Sequence, residues 1–352
     1  MKKIISGLLI TTCCAFAPAW AGNIVDVLAQ PAVQGPQVLR AALQDVTRAG
    51  NRLVAVGERG VVLLSDDNGN SWRQAIAVPV SVSLTAVQFI DARNGWAVGH
   101  AGVVLRSADG GENWSVQLDG KRAAAAELRA AESSGDTERL ASAQHLVADG
   151  ADKPLLALSF ADANHGLVFG AYGLAMITED GGRTWQSWMD RLPNPRGLHL
   201  YTVARRGADL YVAGEQGLLL RSRDGGQHFQ ALEGPYEGSY FASAVLPDGQ
   251  LLVGGLRGKL FTSHDDGASF QPLANPIPAS INGIRVVGDQ LLLANQAGIL
   301  LHSGLHDFAA LPLPVSNGLP LTAATMADDG ALVAVGLAGA RRLTIPSSST
   351  AD

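Results

Sequence analysis

The string Asp66-Asp67-Asn68-Gly69-Asn70 has the composition of an oxygen-donor loop for a hard cation. Calcium loops of the EF-hand kind need ligands at fixed alternate positions and a closing bidentate Glu, and this spacing does not supply them. The eight histidines form no HExxH or HxxEH pattern; His199, His228 and His264 fall singly and read as solvated side chains. Tyr172, Tyr201 and Tyr211 could each serve as a phenolic nucleophile, but no Glu is tied to any of them by spacing. There is no GxSxG and no Walker loop, and both cysteines lie within the first 14 residues. These residues assign no catalytic group, metal or cofactor.

The acidic string recurs, and recurrence changes its meaning. SDDNGNSW carries Ser65, Asp67, Gly69 and Trp72. SADGGENW repeats the pattern with Ser107, Asp109, Gly111 and Trp114, and TEDGGRTW with Thr178, Asp180, Gly182 and Trp185. SRDGGQHF and SHDDGASF follow with Ser222, Asp224, Gly226, Phe229 and Ser263, Asp265, Gly267, Phe270. An Asp that accepts backbone N–H groups, a Gly with positive φ and a closing hydroxyl make a hairpin turn. The terminal aromatic is predicted to start a strand and pack between neighbouring units.

A second motif sets the period. Gly-x-x-Gly follows a short apolar run at Gly57–Gly60, Gly99–Gly102, Gly170–Gly173, Gly214–Gly217, Gly255–Gly258 and Gly336–Gly339, with the variant Asn295–Gly298. The closing glycines are 42, 71, 44, 41, 40 and 41 residues apart. Five of the six intervals agree on about 40–44 residues, the length of one four-stranded propeller blade. In the second copy Leu84–Phe89, Trp96–Gly99, Val103–Arg106 and Trp114–Gln117 read as four short strands, with the glycine pair at the turn between strands two and three. The fold class predicted is all-β, a seven-bladed propeller of four-stranded antiparallel blades.

Residues 1–21 read as a secretory leader: a basic start, an apolar run from Ile4 to Ala17, and Ala19-Trp20-Ala21 before the cut. Ile10-Thr11-Thr12 does not suit lipidation at Cys13 or Cys14. The expected product is an exported, periplasmic, cysteine-free chain that does not itself span a membrane. Its charge, −6 with the leader and −8 without Lys2 and Lys3, argues against nucleic acid.

The Ser-x-Asp-x-Gly-x-Thr/Ser-Trp string is the Asp box, or BNR repeat, of sialidases and other propellers. Five copies, the VGERG, VGHAG and VAGEQG turns and an exported chain of this size resemble the photosystem II assembly and stability factor family and its non-photosynthetic bacterial relatives, over about residues 40–345. The resemblance implies a propeller that assists assembly of a membrane complex without enzymatic chemistry. It also implies that the strand 2–3 turns and blade connections share one face, with the Asp boxes on the other. On that reading the turn residues Glu58, Arg59, His100, Tyr172, Glu215, Gln216, Arg257 and Gln296 would meet a protein partner. Arg196, Tyr236 and Tyr240 from two connecting loops would join them. The resemblance implies an arginine-rich surface in the family's photosynthetic members, and Arg59 and Arg257 are the positions here that match it best. The alternative is a sialidase-like glycoside hydrolase or glycan-binding propeller, although Asn51-Arg-Leu-Val54 is not the sialidase Arg-Ile-Pro signature.

Three further expectations concern organisation. Residues 22–352 should form one monomeric propeller domain with a tail, 346–352, outside it. Blade seven is one strand short, and a strand near 23–28 is expected to complete it. The long interval fits a helical insertion at about 121–153, with a break at Ser133-Ser-Gly135 and a cap at Asp136 or Thr137. Leu128, Leu140, Leu146 and Val147 give it an apolar stripe; it reads either as a plain surface insertion or as a partner-binding arm.

Overall fold

Each repeat folds as a meander, and the computed structural model describes residues 26–305, 308–313 and 318–343. Six sheets have four antiparallel strands in sequential order from the axis outward, and the seventh has three. The inner strands are Leu43–Ala49, Leu84–Phe89, Leu155–Phe160, Leu200–Arg206, Tyr240–Val245, Ile281–Val287 and Leu321–Met326. Each packs on the next, and the first packs on the last, so the sheets close a seven-bladed propeller. The second strands are largely apolar, and in Gly95–Gly99 and Gly166–Gly170 every residue is buried. A strand covered by neighbouring sheets on both faces has no solvent side to alternate toward.

The Asp-box aromatics fill the gaps between blades. Trp114 is 6% exposed in the cluster of blades one and two, and Trp185 is 7% exposed in that of blades two and three. Phe229 and Phe270 do the same between blades three and four and blades four and five. Trp72 lies in the closing seam against Leu53, Ala327 and Val333.

The seam carries no added strand among the described residues. Asp26–Leu28, the described part of the segment expected beside blade seven, forms a turn instead; residues 23–25 lie outside the described ones. Val27 O accepts from Ser81 N at 2.9 Å, and Leu28 packs on the core of blades one and two. Blade seven meets blade one through side chains: Thr322 Oγ1 donates to Leu43 O at 2.9 Å, Arg48 pairs with Asp328 at 2.8 Å, and Arg342 Nη1 donates to Asn68 O at 2.7 Å. The short helical turn Pro36–Arg40 packs against the last strand, Gly339–Leu343, and covers an otherwise bare sheet edge.

The insertion is a helical hairpin, α1 (Gly120–Ser134) and α2 (Thr137–Asp149). Asp119 accepts from Arg122 N, Gly135 takes a left-handed φ of 72°, and Asp136 accepts from Glu138 N and Arg139 N, so both starts and the break are capped. The buried face is made of alanines rather than the leucine stripe: Ala123, Ala124, Ala126 and Ala131 are covered, whereas Val147 is 43% exposed. Small side chains let α1 lie close against the outer strand of blade three, Gln186–Ser187. Glu127, only 4% exposed, holds the three pieces together: it accepts from Arg139 Nε and Nη2 at 2.9 and 3.0 Å and from the Ser187 hydroxyl, while Arg139 also reaches Asp190 at 3.0 Å. No described helix is long and apolar enough to cross a membrane.

Candidate partner-binding face

Antiparallel order fixes what shares an end of the propeller. The inner strand starts where the strand 2–3 turn lies, and strand four returns there before the chain passes to the next blade. The paired-glycine turns, the blade connections and the start of the helical hairpin therefore occupy one end. The Asp boxes and strand 1–2 turns occupy the other.

Close approach and backbone conformation together demand the glycine pair. Gly57 is extended, but a Cβ there would sit 2.2 Å from Ala42 O; Gly60 has φ +73°, and its Cβ would meet Val80 O at 2.1 Å. Thus the first glycine is required by contact rather than by an unusual dihedral, and the turn is pinned between the inner strand and the connection to the next blade. The residue before the closing glycine also has positive φ in five blades: Arg59, Ala101, Tyr172, Gln216 and Arg257, between 51° and 58°. A non-glycine residue in that region costs about 1–2 kcal/mol. Blade six avoids the cost. Its buried Asn295 accepts from Ala297 N and Ile299 N, both at 3.0 Å, and the amide side chain replaces the left-handed step.

The positions singled out from sequence divide into three groups. Arg59, His100, Tyr172, Arg196, Gln216, Arg257 and Gln296 are exposed at this end. Glu58 and Glu215 fasten their own turns: Glu58 Oε1 accepts from Ala42 N at 3.1 Å and Glu215 Oε2 from His199 N at 3.2 Å. Tyr240 must be withdrawn from the surface. It is the first residue of an inner strand, 0% exposed, and its hydroxyl donates to Tyr236 O at 3.3 Å. Tyr236 is half-buried and packs on Tyr240 and Phe261. Arg59 and Arg257 stand on blades one and five, so they form no continuous patch. Arg196 Nη1 donates to Gln216 Oε1 at 2.9 Å.

An aromatic row links this rim to the axis. Tyr172, 57% exposed, has Lys153 Nζ 4.8 Å from its ring centre and the His199 ring, tilted, at 4.8 Å. His199 stacks on Tyr201 at 5.9 Å, and Tyr201 meets Phe241 edge-on at 5.3 Å. Tyr201 and Phe241 border an axial cavity of about 380 Å³ and a shallower mouth of about 420 Å³ above it. Asp45 crosses the cavity to Arg285 at 2.9 Å and also accepts from Val46 N and Val87 N. Burial pushes its carboxyl upward against the pull of that arginine and those donors. Arg205 Nε donates to Ser159 Oγ at 2.9 Å at the far end of its strand.

Sequence reasoning did not bring Tyr201 and Phe241 to the axis together. Aligning the blades would have done so, because each stands second in its inner strand, after buried Leu200 and Tyr240. As nucleophiles the tyrosines fare differently. Tyr211 is buried under the Arg221 guanidinium, and burial, with Glu215 adding, pushes the Tyr201 phenol upward, away from easy deprotonation.

The opposite end is occupied with its own bonding. Ser65 Oγ donates to Asp67 and accepts from Gly69 N, while Asp67 accepts from Ser71 N and Oγ at 2.9 and 2.6 Å. The same set recurs at Thr178–Thr184 and Ser263–Ser269. The hydroxyls of Ser71, Thr184 and Ser269, then their amides, hold Asp67, Asp180 and Asp265 down at about 2. Asp66, the remaining acid of the calcium-like string, pairs with Arg52 and Arg73.

Comparison with known proteins adds sequence and fold. The family described as photosynthesis system II assembly factor YCF48 matches residues 137–235. Photosystem II assembly lipoprotein Ycf48 of Synechococcus sp. (strain CC9902) is 35% identical over 77 residues, 22% of this chain and 23% of that protein. The match thus spans about a quarter of that relative's length. A solved structure described as YCF48 bound to D1 peptide superposes with a TM-score of 0.64 at 16% identity, covering 90% of this chain and 97% of that one. YCF48 from Cyanidioschyzon merolae gives 0.60 at 18% identity, over 86% and 94%. These two likenesses show the fold. With the segment match they support the resemblance to the photosystem II assembly-factor family first seen in the Asp boxes and glycine turns.

Proposed function

We propose that this photosystem II assembly-factor-like propeller is a non-enzymatic, exported assembly or accessory factor. It holds a protein partner, a component of a membrane complex or envelope transporter, on the end that carries the paired-glycine turns. One observation carries the reading: exposed Arg59, His100, Tyr172, Arg196, Gln216 and Arg257 share one rigid end. Four of the turns there hold a long or bulky side chain, Arg59, Tyr172, Gln216 and Arg257, on a left-handed backbone. Strain on long side chains at a repeated face suits recognition; at the opposite end the left-handed residues are Asn68 and Asp266, types that tolerate that backbone, and the polar groups there are spent on one another. A relative named as an assembly lipoprotein and one solved with a D1 peptide support both the export and the protein partner.

The test is capture from cells. The tag goes on the C-terminus, because the last strand runs away from the proposed face. After gentle crosslinking and membrane solubilisation, a membrane protein should co-purify with the wild type and be lost from Arg59→Glu, Arg257→Glu. Equal recovery from both would remove those arginines from the site. Turnover of a fluorogenic sialoside would overturn the non-enzymatic reading.

A further inference from the structure

The pairing of every inner strand with its neighbour slips at the same place. In blade one Leu43 faces Gly57 but Asp45 faces Val56; in blade four Leu200 faces Gly214 but Thr202 faces Ala213. The other five blades show the same shift. A bulge leaves one residue unpaired and re-aims its side chain. Here the unpaired residues are Gln44, Thr85, Leu156, Tyr201, Phe241, Asn282 and Thr322, and all seven line the axial mouth. None carries a charge at neutral pH.

Part of this ring has a structural task. Thr85 Oγ1 donates to Leu155 O at 2.7 Å, Asn282 Nδ2 to Leu321 O at 2.7 Å and Thr322 Oγ1 to Leu43 O at 2.9 Å, each fastening a blade to the next. The arc on blades three to five does not share it. Leu156, Tyr201 and Phe241 are half-buried, and Tyr201 and Phe241 continue the row that starts at Tyr172. Exposed Leu337 and half-buried Pro320 border the same mouth. Charge lies elsewhere: Arg285 is held by Asp45, and Arg205 stands four residues further along its strand, roughly 13 Å deeper. Among the described residues lining the mouth a carboxylate would meet no Lys or Arg, whereas an uncharged ring or aliphatic chain would meet three apolar walls inside a polar rim.

We infer that the partner is anchored at the axis by an uncharged aromatic or long aliphatic side chain. It belongs to an extended segment lying along Tyr172, His199, Tyr201 and Phe241, and the rim arginines serve registration and approach. This rests on the protein-binding reading and names the chemistry of its central contact.

The experiment pans a displayed library of random 12-residue peptides on the full chain and measures the enriched peptides by fluorescence anisotropy. Enriched peptides should share an uncharged aromatic or leucine-like residue. Phe241→Ser should weaken them about 30-fold, and Arg59→Glu, Arg257→Glu far less and mainly at low salt. Tyr201→Ser, on the adjacent blade, supplies an independent reading if the melting curve of the first variant shows a folding defect. Acidic peptides that survive both serine variants but not the charge reversal would overturn the anchor and leave the protein-binding face standing. No enrichment, with binding of neutral oligosaccharides instead, would overturn both.

Discussion

Replacing Glu127 with Ala tests whether the helical hairpin is a fixed part of the surface or a loose arm. Its carboxylate joins α1 to α2 through Arg139 and to blade three through Ser187. Removing one partner of a buried ion pair costs about 3–5 kcal/mol, because the other charge is left uncompensated. Arg139 keeps Asp190 at 3.0 Å and is itself 15% exposed, so the loss here is nearer 2–3 kcal/mol. It should fall on docking of the hairpin rather than on the propeller, since the alanine face offers little apolar area to compensate. Native-state hydrogen exchange reads such local opening directly: amides of α2 should exchange about 30- to 150-fold faster, with the second strands of the blades unchanged. If α2 kept its wild-type protection, the ion-pair cluster would not be what docks the hairpin. If α2 and the strands accelerated together, the hairpin would open only with global unfolding, and the reasoning would again fail.

Two further predictions concern the fastening of the ring. Trp114→Ala removes a side chain that is 6% exposed, meets Phe89 edge-on at 5.9 Å and donates from Nε1 to Gly111 O at 2.9 Å; it should cost about 3–5 kcal/mol in urea denaturation, and a loss under about 1 kcal/mol would show that the blades repack without it. In acid, Asp67, Asp180 and Asp265 have carboxyl values depressed to about 2 in the folded chain. Their contribution is complete above the unfolded value near 4 and lost as pH falls through about 2. The melting temperature should therefore drop steadily across that window, and a flat profile between pH 4 and pH 2 would contradict the role of the Asp boxes.

Much of the architecture was legible because blades repeat. The Asp box and the glycine pair are short-range devices whose residues lie within eight positions of one another, so five Asp boxes and seven turns, one a variant, announce the period, the turn positions and the insertion. Relations between blades were less visible. The bulge ring occupies one position per 40 residues and varies from Gln44 to Phe241, so no local pattern marks it. Tyr240 was misplaced for the same reason: read alone it ends a polar loop, but aligned with Leu43, Leu84, Leu155, Leu200, Ile281 and Leu321 it is the buried first residue of an inner strand. The segment Asn23–Leu28, with Ile24, Val25, Val27 and Leu28, suggests a strand, yet its described part serves a turn against Ser81. Glu58 and Glu215 resemble solvent-facing turn tips, and only the fold shows them accepting from the backbone at the head of their own blades.

The central claim is that the paired-glycine end, and not the Asp-box end, meets a membrane-associated protein. The most direct measurement places a photocrosslinking residue at exposed Gln216 on the first end or exposed Gln227 on the second, and identifies what each captures in living cells. The account predicts a membrane protein captured from Gln216 and none from Gln227; capture of the same protein from Gln227 alone would contradict it.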